Sequence, residues 1–253
     1  MYPEERQQEI LRLARINGRV EVAGLADELS VTTETIRRDL TILERSGVLR
    51  RVHGGAIPVE RMSFEPALAA RDAVLIEEKE RIAKLAVAEV PAEGAIILDA
   101  GSTTARLAEL LPADRELTVV VNSPAIATVL STRVNLNVLM LGGRVRGKTL
   151  ATVDDWALRP LADLYVDVAF LGTNGVSAER GLTTPDPAEA SVKRAMIKSS
   201  RRTILLADHT KVGNDYLARF GDVADLDLLI TDEATDDELV SDIEAAGARV
   251  VRA

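Results

Sequence analysis

VAGLADELSVTTETIRRDLTILERSGVLRRVHG, residues 22–54, decides the reading of the N-terminal part of this chain. Val22, Leu25, Ala26 and Leu29 fall at spacings of 3, 4 and 7, which places one apolar stripe along a helix. Ser30 and Val31 make a turn. Thr32 then has N-cap chemistry, with a side-chain oxygen for the free amides of a new helix, and Glu34 suits the positive first turn. The second helix therefore starts near Thr33. Ile36, Leu40 and Leu43 form its inner side, and Gly47 after Ser46 supplies the left-handed residue that commonly ends a helix. Thr33, Thr35, Arg37, Arg38 and Thr41 are left to face outward.

A helix-turn-helix of this kind places the start of its second helix in the DNA major groove, where arginine can pair with guanine and small hydroxyls reach base edges or phosphates. Thr32, Thr33, Thr35, Arg37 and Arg38 are the candidate contacts. Val48 to Val52 predicts a short strand carrying Arg50 and Arg51, followed by a turn at His53-Gly54-Gly55, in the manner of the wing of a winged helix. A preceding helix with Ile10, Leu13 and Ala14 inside and Gly18 closing it completes a unit over residues 3–58, about the minimum self-supporting size. Adjacent arginines on a helix are more often a solvated face than a groove contact. Overall charge does not favour DNA either: residues 1–56 carry nine Lys and Arg against nine Asp and Glu, leaving the formal −9 to the remainder. Any DNA affinity must come from local placement of charge.

The string TTETIRRDLTILERSGVLRRVHGGA closely resembles the N-terminal signature of the DeoR family of bacterial transcriptional regulators. The resemblance implies a helix-turn-helix reader followed by a larger sugar-phosphate-sensing domain, and it covers almost the whole chain. Composition is compatible with that plan, since 253 residues with 47% hydrophobic content suit a small module and one larger domain. There is no cysteine and there are only two histidines. Disulfides, thiolate chemistry and cysteine zinc sites are excluded, and neither a metal nor a cofactor is expected. No apolar run reaches transmembrane length and Met1 to Glu9 is polar, so a cytoplasmic protein with no membrane partner is expected.

Residues 59–75, with Pro66 and mixed charge, read as a linker, and 76–253 as the sensor. A helix with Ile76, Ile82, Leu85 and Ala86 on its apolar face runs to about Val90 and is broken by Pro91 and Gly94. Strands are then expected at 95–99, 117–122, 137–141, 168–172, 203–208, 226–231 and 249–251, with helices near 104–111, 124–132, 186–200 and 236–246. The alternation predicts an α/β fold with a mainly parallel sheet covered on both faces, which takes ligands at the carboxyl ends of its strands.

Polar loops recur at those ends. Asp99-Ala100-Gly101-Ser102-Thr103-Thr104 offers hydroxyls and free amides at a helix N-terminus, which suits phosphate, although an ordinary capped turn would look the same. The chain has no GxGxxG and no Walker lysine motif, so a small phosphate ester fits better than a nucleotide. Asn122-Ser123, Gly142-Gly143, Asn174-Gly175, Lys193 and Lys211 complete the candidate effector set. The spacing of DAGSTT, VNSP, LGG, FLGTNG, GLTTPDPAEASVKR and LLADHTKVG resembles the DeoR sensor, itself similar to ribose-5-phosphate isomerase and coenzyme A transferases. On that pattern Asp99, Ser102, Thr103, Thr104, Asn174, Gly175, Lys193 and Lys211 match effector-lining positions, with Asn174 standing where many relatives carry aspartate.

An isomerase-like enzyme is the competing reading, since Asp99, Asp208, Glu189 and Lys193 include possible acids and bases. No residue is expected to be catalytic, because nothing places a base beside a substrate carbon. His209 reads as a loop histidine with a structural hydrogen bond, and Trp156 with Asp154-Asp155 as a partly buried helical segment. The segment FLGTNGVSAERGLTTPDPAEASVKRA most resembles regulators of fructose operons in high-GC Gram-positive bacteria, which implies fructose 1-phosphate as the effector. The expected mechanism is a homodimer or homotetramer that holds operator DNA until a phosphorylated sugar releases it. An activator is the alternative.

Overall fold

The computed structural model describes residues 3–46, 48–52, 54–58 and 67–253, and the chain divides into two compact units, Met1–Glu65 and Pro66–Ala253. The first unit runs α1 (Pro3–Asn17), β1 (Val20–Glu21), α2 (Val22–Glu28), α3 (Thr33–Arg45), β2 (Leu49–Val52) and β3 (Gly55–Pro58). Its strands pair antiparallel in the order β1-β3-β2. The expected apolar positions form the core: Ile10, Leu25, Ile36 and Leu40 are buried together with Leu49 and Ala56 from the strands. Ser30 makes the inter-helix turn with φ +52°, and Thr32 caps α3 by accepting a hydrogen bond from the Thr35 amide at 3.2 Å. Gly47 and His53, expected at the helix end and the wing turn, lie outside the described residues. Gly55, expected in that turn, begins β3. A Cβ there would sit 1.9 Å from the Val20 carbonyl oxygen, so only glycine lets β1 and β3 close.

One feature of this core escapes apolar periodicity. Asp39, on the inner side of α3, is 3% exposed, pairs with Arg6 of α1 at 2.5 Å and accepts from Gln7 at 3.0 Å. A buried carboxylate needs such partners, and the pair fixes α3 against α1.

In the second unit, α4 (Leu68–Asp72) and α5 (Ile76–Ala86) precede the alternation β4 (Glu93–Leu98), α6 (Ser102–Leu110), β5 (Glu116–Val121), α7 (Pro124–Leu130) and β6 (Leu136–Met140). A small hairpin, β7 (Arg144–Val145) and β8 (Thr152–Val153), leads to α8 (Asp155–Ala162) and β9 (Val166–Gly172). There follow β10 (Gly175–Ser177), β11 (Gly181–Thr184), α9 (Pro187–Lys198), β12 (Ser200–Leu206), β13 (Ala218–Gly221), β14 (Leu228–Thr231), α10 (Asp237–Ala245) and β15 (Arg249–Arg252).

Seven strands form one wholly parallel sheet in the order β15-β14-β12-β9-β4-β5-β6. Both faces are covered. Ile96 and Leu98 pack with Ile82, Leu107 and Ile126 of α5, α6 and α7, while Ile97 and Leu171 pack on the side of Leu161, Val192 and Ile243 from α8, α9 and α10. Short runs rich in Val, Ile and Leu are what a sheet buried on both faces requires. The strand order reverses between β4 and β9, and an open parallel sheet opens a crevice at the carboxyl ends of the strands where that happens.

The expected sheet is present, with ends displaced by at most three residues; β12, for example, starts at Ser200 rather than Thr203. The antiparallel sheet β10-β11-β13 and the hairpin β7-β8 were not expected, because strands of two to four residues carry no readable period. Residues 67–75, read as part of a linker, instead include α4, and the Leu68 amide donates to the Lys148 carbonyl at 2.8 Å. Among the described residues no helix is long and apolar enough to cross a membrane.

Candidate functional site

The exposed face of α3 carries Thr33, Arg37 and Arg38, as the spacing predicts. Arg37 Nη1 lies 3.5 Å from Glu34 Oε2, a solvent-exposed contact that holds the side chain only loosely. Thr35 is half-buried, and its hydroxyl lies 2.9 Å from that of Thr32, so both are partly engaged in the cap. In the wing, the Arg51 amide donates to Glu44 Oε1 at 3.0 Å and its Nη1 to Thr41 Oγ1 at 3.4 Å. Thr41 in turn donates to the Arg37 carbonyl at 2.8 Å. Wing and helix thus present Arg37, Arg38 and Arg51 from connected backbone, with Arg50 half-buried beside them. Asp39, buried on the inner side of the same helix, pairs with Arg6 of α1.

The second unit holds a cavity of about 300 Å³ at the switch between β4 and β9. It lies at the small end of ligand sites. Gly101, Ser102, Thr103, Thr104, Asn174, Lys193 and Lys211 of the candidate set line it. Gly101 caps α6 without a side chain, so the amides of the first turn, which have no partner inside the helix, face this end of the sheet. Four cationic side chains, Arg71, Lys79, Lys193 and Lys211, border the cavity against two carboxylates, Glu189 and Asp208.

The remaining candidates stand outside the lining. Asp99 is 1% exposed and lies beneath it, bonded to Lys193 Nζ and accepting from the Gly172 amide at 3.1 Å. Burial pushes the Asp99 carboxyl above the usual carboxylate range, opposed by the Lys193 ammonium. Lys193 also donates to the Gly172 carbonyl at 3.0 Å and lies 5.6 Å from the Phe220 ring centre, so its ammonium is fixed at the mouth of β9. Asn122 Oδ1 accepts from the Ala100 amide at 2.7 Å and holds the phosphate-type loop, while Ser123 caps α7. Gly142 and Gly143 lie away from the cavity, Gly143 beside Trp156 and Arg144. Gly175 packs against the Asn214 carbonyl, leaving no room for a Cβ.

Sequence reasoning missed Arg71 and Lys79 altogether, and missed Thr149 and Arg146. Glu189 Oε1 accepts from Thr149 Oγ1 and from Arg146 Nη1 at 3.0 Å, and Arg146 also pairs with Asp186 at 2.9 Å. Glu189 and Lys193, four residues apart on α9, share a face. That spacing was a legible signal; the hairpin residues gave none. Asn174 Oδ1 accepts from Thr184 Oγ1 at 3.0 Å. Asp208 holds Thr210 through its amide at 3.1 Å and through its hydroxyl, with Lys211 Nζ 3.9 Å away. His209 makes the expected structural bond, Nδ1 to Asp232 Oδ1 at 2.9 Å. Trp156 is 74% exposed on α8, not partly buried as expected, because it lies outside the apolar face made by Ala157 and Leu161. Among the described residues no group of three or more His, Asp or Glu could hold a metal ion.

Comparison with known proteins adds two family matches: residues 6–61 match the DeoR-like helix-turn-helix domain and residues 75–233 the DeoR C terminal sensor domain. The HTH-type transcriptional regulator GlpR of Haloferax volcanii is 36% identical over 251 residues, covering 99% of this chain and 98% of its own. The HTH-type transcriptional repressor GlcR of Bacillus subtilis is 33% identical over 92% of this chain and 89% of its own. Among solved structures, ribose 5-phosphate isomerase A of Methanocaldococcus jannaschii overlaps 53% of this chain and 52% of its own at 18% identity, with a TM-score of 0.38.

Proposed function

The chain belongs to the DeoR family of transcriptional regulators, and from that premise we propose that it is a repressor released from its operator by a phosphorylated sugar bound in the sensor cavity. It is a DNA-binding regulator rather than an enzyme.

The observation that carries the ligand class is one arrangement: the free amides of α6 at Gly101 to Thr104 open into a cavity where cations outnumber carboxylates by four to two. Amides at a helix start and a positive surround favour a phosphate. Glu189, Asp208, Thr149 and Asn174, which line the same cavity, provide acceptors and donors for sugar hydroxyls. Fructose 1-phosphate is the proposed effector. Ser102, Thr103, Thr104, Lys193 and Lys211 contact it; Asp99, Asn122 and Gly175 act by holding those contacts in place, and Ser123, Gly142 and Gly143 have no direct part.

In the first unit, Thr33, Arg37 and Arg38 enter the major groove, with Thr32 and Thr35 at the helix start and Arg50 and Arg51 on flanking phosphates. One such helix reads too few base pairs for operator selectivity, so two or four copies act together on paired half-sites. The domains follow the division 3–58, 59–75 and 76–253, with residues 67–75 serving the sensor. Repression is favoured because GlcR, similar over 92% of this chain, is named a repressor.

Calorimetric titration of the whole protein with hexose monophosphates and the matching free sugars tests the ligand class. Binding of a phosphorylated sugar, lost in Thr103→Val, is expected. Equal binding of free sugar, or heat unchanged in Thr103→Val, contradicts the site.

A further inference from the structure

Lys79 is 3% exposed, yet it belongs to neither the apolar face of α5 nor the candidate effector set. Its Nζ donates to the Arg71 carbonyl and, at 2.6 Å, to the Val74 carbonyl, while the side chain lines the same cavity as the start of α6. An ammonium has three donors. Two are committed to the backbone of the segment 71–75, and the third remains for whatever fills the cavity.

That segment is tied at several points. Leu75 takes φ +53° and ψ +45° at the entry to α5, a left-handed conformation that a leucine adopts only when its surroundings impose it. Asp72 pairs with Arg106, and Arg106 Nη1 also donates to the Ser102 carbonyl at 3.0 Å, on the first residue of α6. Arg71, Val74 and Leu75 themselves form part of the cavity wall. In sequence, residues 59–70 join β3, the last strand of the DNA-reading unit, to this segment. Burial also depresses the Lys79 pKa, so an anion arriving in the cavity favours its charged, fully donating form.

We infer that Lys79 is the residue that couples effector occupancy to the reader: it binds the effector's phosphate and the carbonyls of Arg71 and Val74 at once, so that ligand locks the strap 68–75 in its seated position. The inference rests on the sensor reading above. A ligand shifts an equilibrium only through unequal affinity for its states; with the strap away, the cavity loses three wall residues and Lys79 loses two acceptors. Occupied and seated therefore go together, and the strap's position is passed along the chain toward the reader.

The test uses the full-length protein, an operator duplex recovered by selection from random sequence, and fructose 1-phosphate followed by the other hexose monophosphates as probes. Two quantities are read: amide hydrogen exchange along the chain, and the ratio of operator Kd with and without probe. In the wild type, probe is expected to slow exchange both at 102–105 and at 68–79, and to raise the operator Kd about 5- to 150-fold. Lys79→Met is expected to leave that ratio below about 2, with Lys79→Arg retaining part of the response, since it keeps a cation of similar reach. Slowed exchange at 102–105 with 68–79 unchanged, or a wild-type ratio in Lys79→Met, overturns the coupling and leaves the sensor reading intact. If no sugar phosphate slows exchange at 102–105, the sensor reading falls and the coupling with it. Should Lys79→Met fail to fold, the wild-type exchange pattern alone decides.

Discussion

Lys193→Met is the substitution whose cost the structure fixes best. Asp99 is 1% exposed and, among the described residues, has one cationic partner, so removing Lys193 leaves a carboxylate with only the Gly172 amide as a close donor there. Breaking one side of a buried ion pair costs about 3–5 kcal/mol, and the contact of Nζ with the Phe220 ring is lost as well. For a unit of this size that corresponds to a fall in Tm of about 6–20 °C, at roughly 2–4 °C per kcal/mol. The double variant Lys193→Met with Asp99→Asn should recover most of the loss, because a neutral amide still accepts from Gly172 and no uncompensated charge remains. pH separates this cause from simple loss of packing. Asp99 already titrates above its ordinary value in the native protein, and without Lys193 it titrates higher still. A carboxyl with a raised native pKa gives stability that is present at low pH and lost as pH rises through that value. The deficit of Lys193→Met should therefore be smaller at pH 5 than at pH 7.5. Thermal unfolding followed by circular dichroism, with the sensor's transition separated from that of the reader, gives each number. A single variant within about 1 kcal/mol of wild type, or a double variant no better than the single, would refute the reasoning.

Arg37→Ala should weaken operator binding by about 1–3 kcal/mol and relax the preference at one base pair, whereas Arg51→Ala should weaken all sequences alike and lower the salt dependence by about one phosphate contact. Gel shifts over a range of salt concentrations check both, and identical behaviour of the two variants would remove the assigned roles. Thr103→Val should keep operator affinity and lose the effector response, and Lys211→Ala should keep operator affinity and shift the response to higher concentration; an unchanged midpoint in either takes that residue out of the site. Gly55→Ala must push β1 from β3, because its Cβ would meet the Val20 carbonyl oxygen at 1.9 Å, and should destabilise the first unit by about 1–3 kcal/mol. Reader unfolding at the wild-type temperature would show that the pairing yields more easily than the geometry indicates.

The helix-turn-helix and the parallel sheet were legible because their signals are periodic. Ile36, Leu40 and Leu43 mark one face of α3, and each sheet strand is a short apolar run between turns. Asp39 was not legible, since a carboxylate at an inner position looks like a surface residue until Arg6, 33 positions away, is brought to it. In the sensor, the α6 loop announced itself through Gly101 and three hydroxyl residues. Lys79 could not, because a lysine in the charged run IEEKERIAK reads as solvated; only the fold turns it under the 71–75 segment. The separation of Asp99 and Gly175 from the cavity lining has the same origin. Sequence places residues at strand ends, while the depth of each below the crevice depends on register, such as the Leu98–Phe170 pairing of β4 with β9.

The most direct measurement is fluorescence anisotropy of the protein on its selected operator duplex, titrated in parallel with fructose 1-phosphate, fructose 6-phosphate and fructose. Release by a phosphorylated sugar at concentrations where fructose does nothing is the predicted result. An operator complex that no phosphorylated sugar disturbs, or that fructose dissolves equally well, would contradict the account of a phosphate-reading switch.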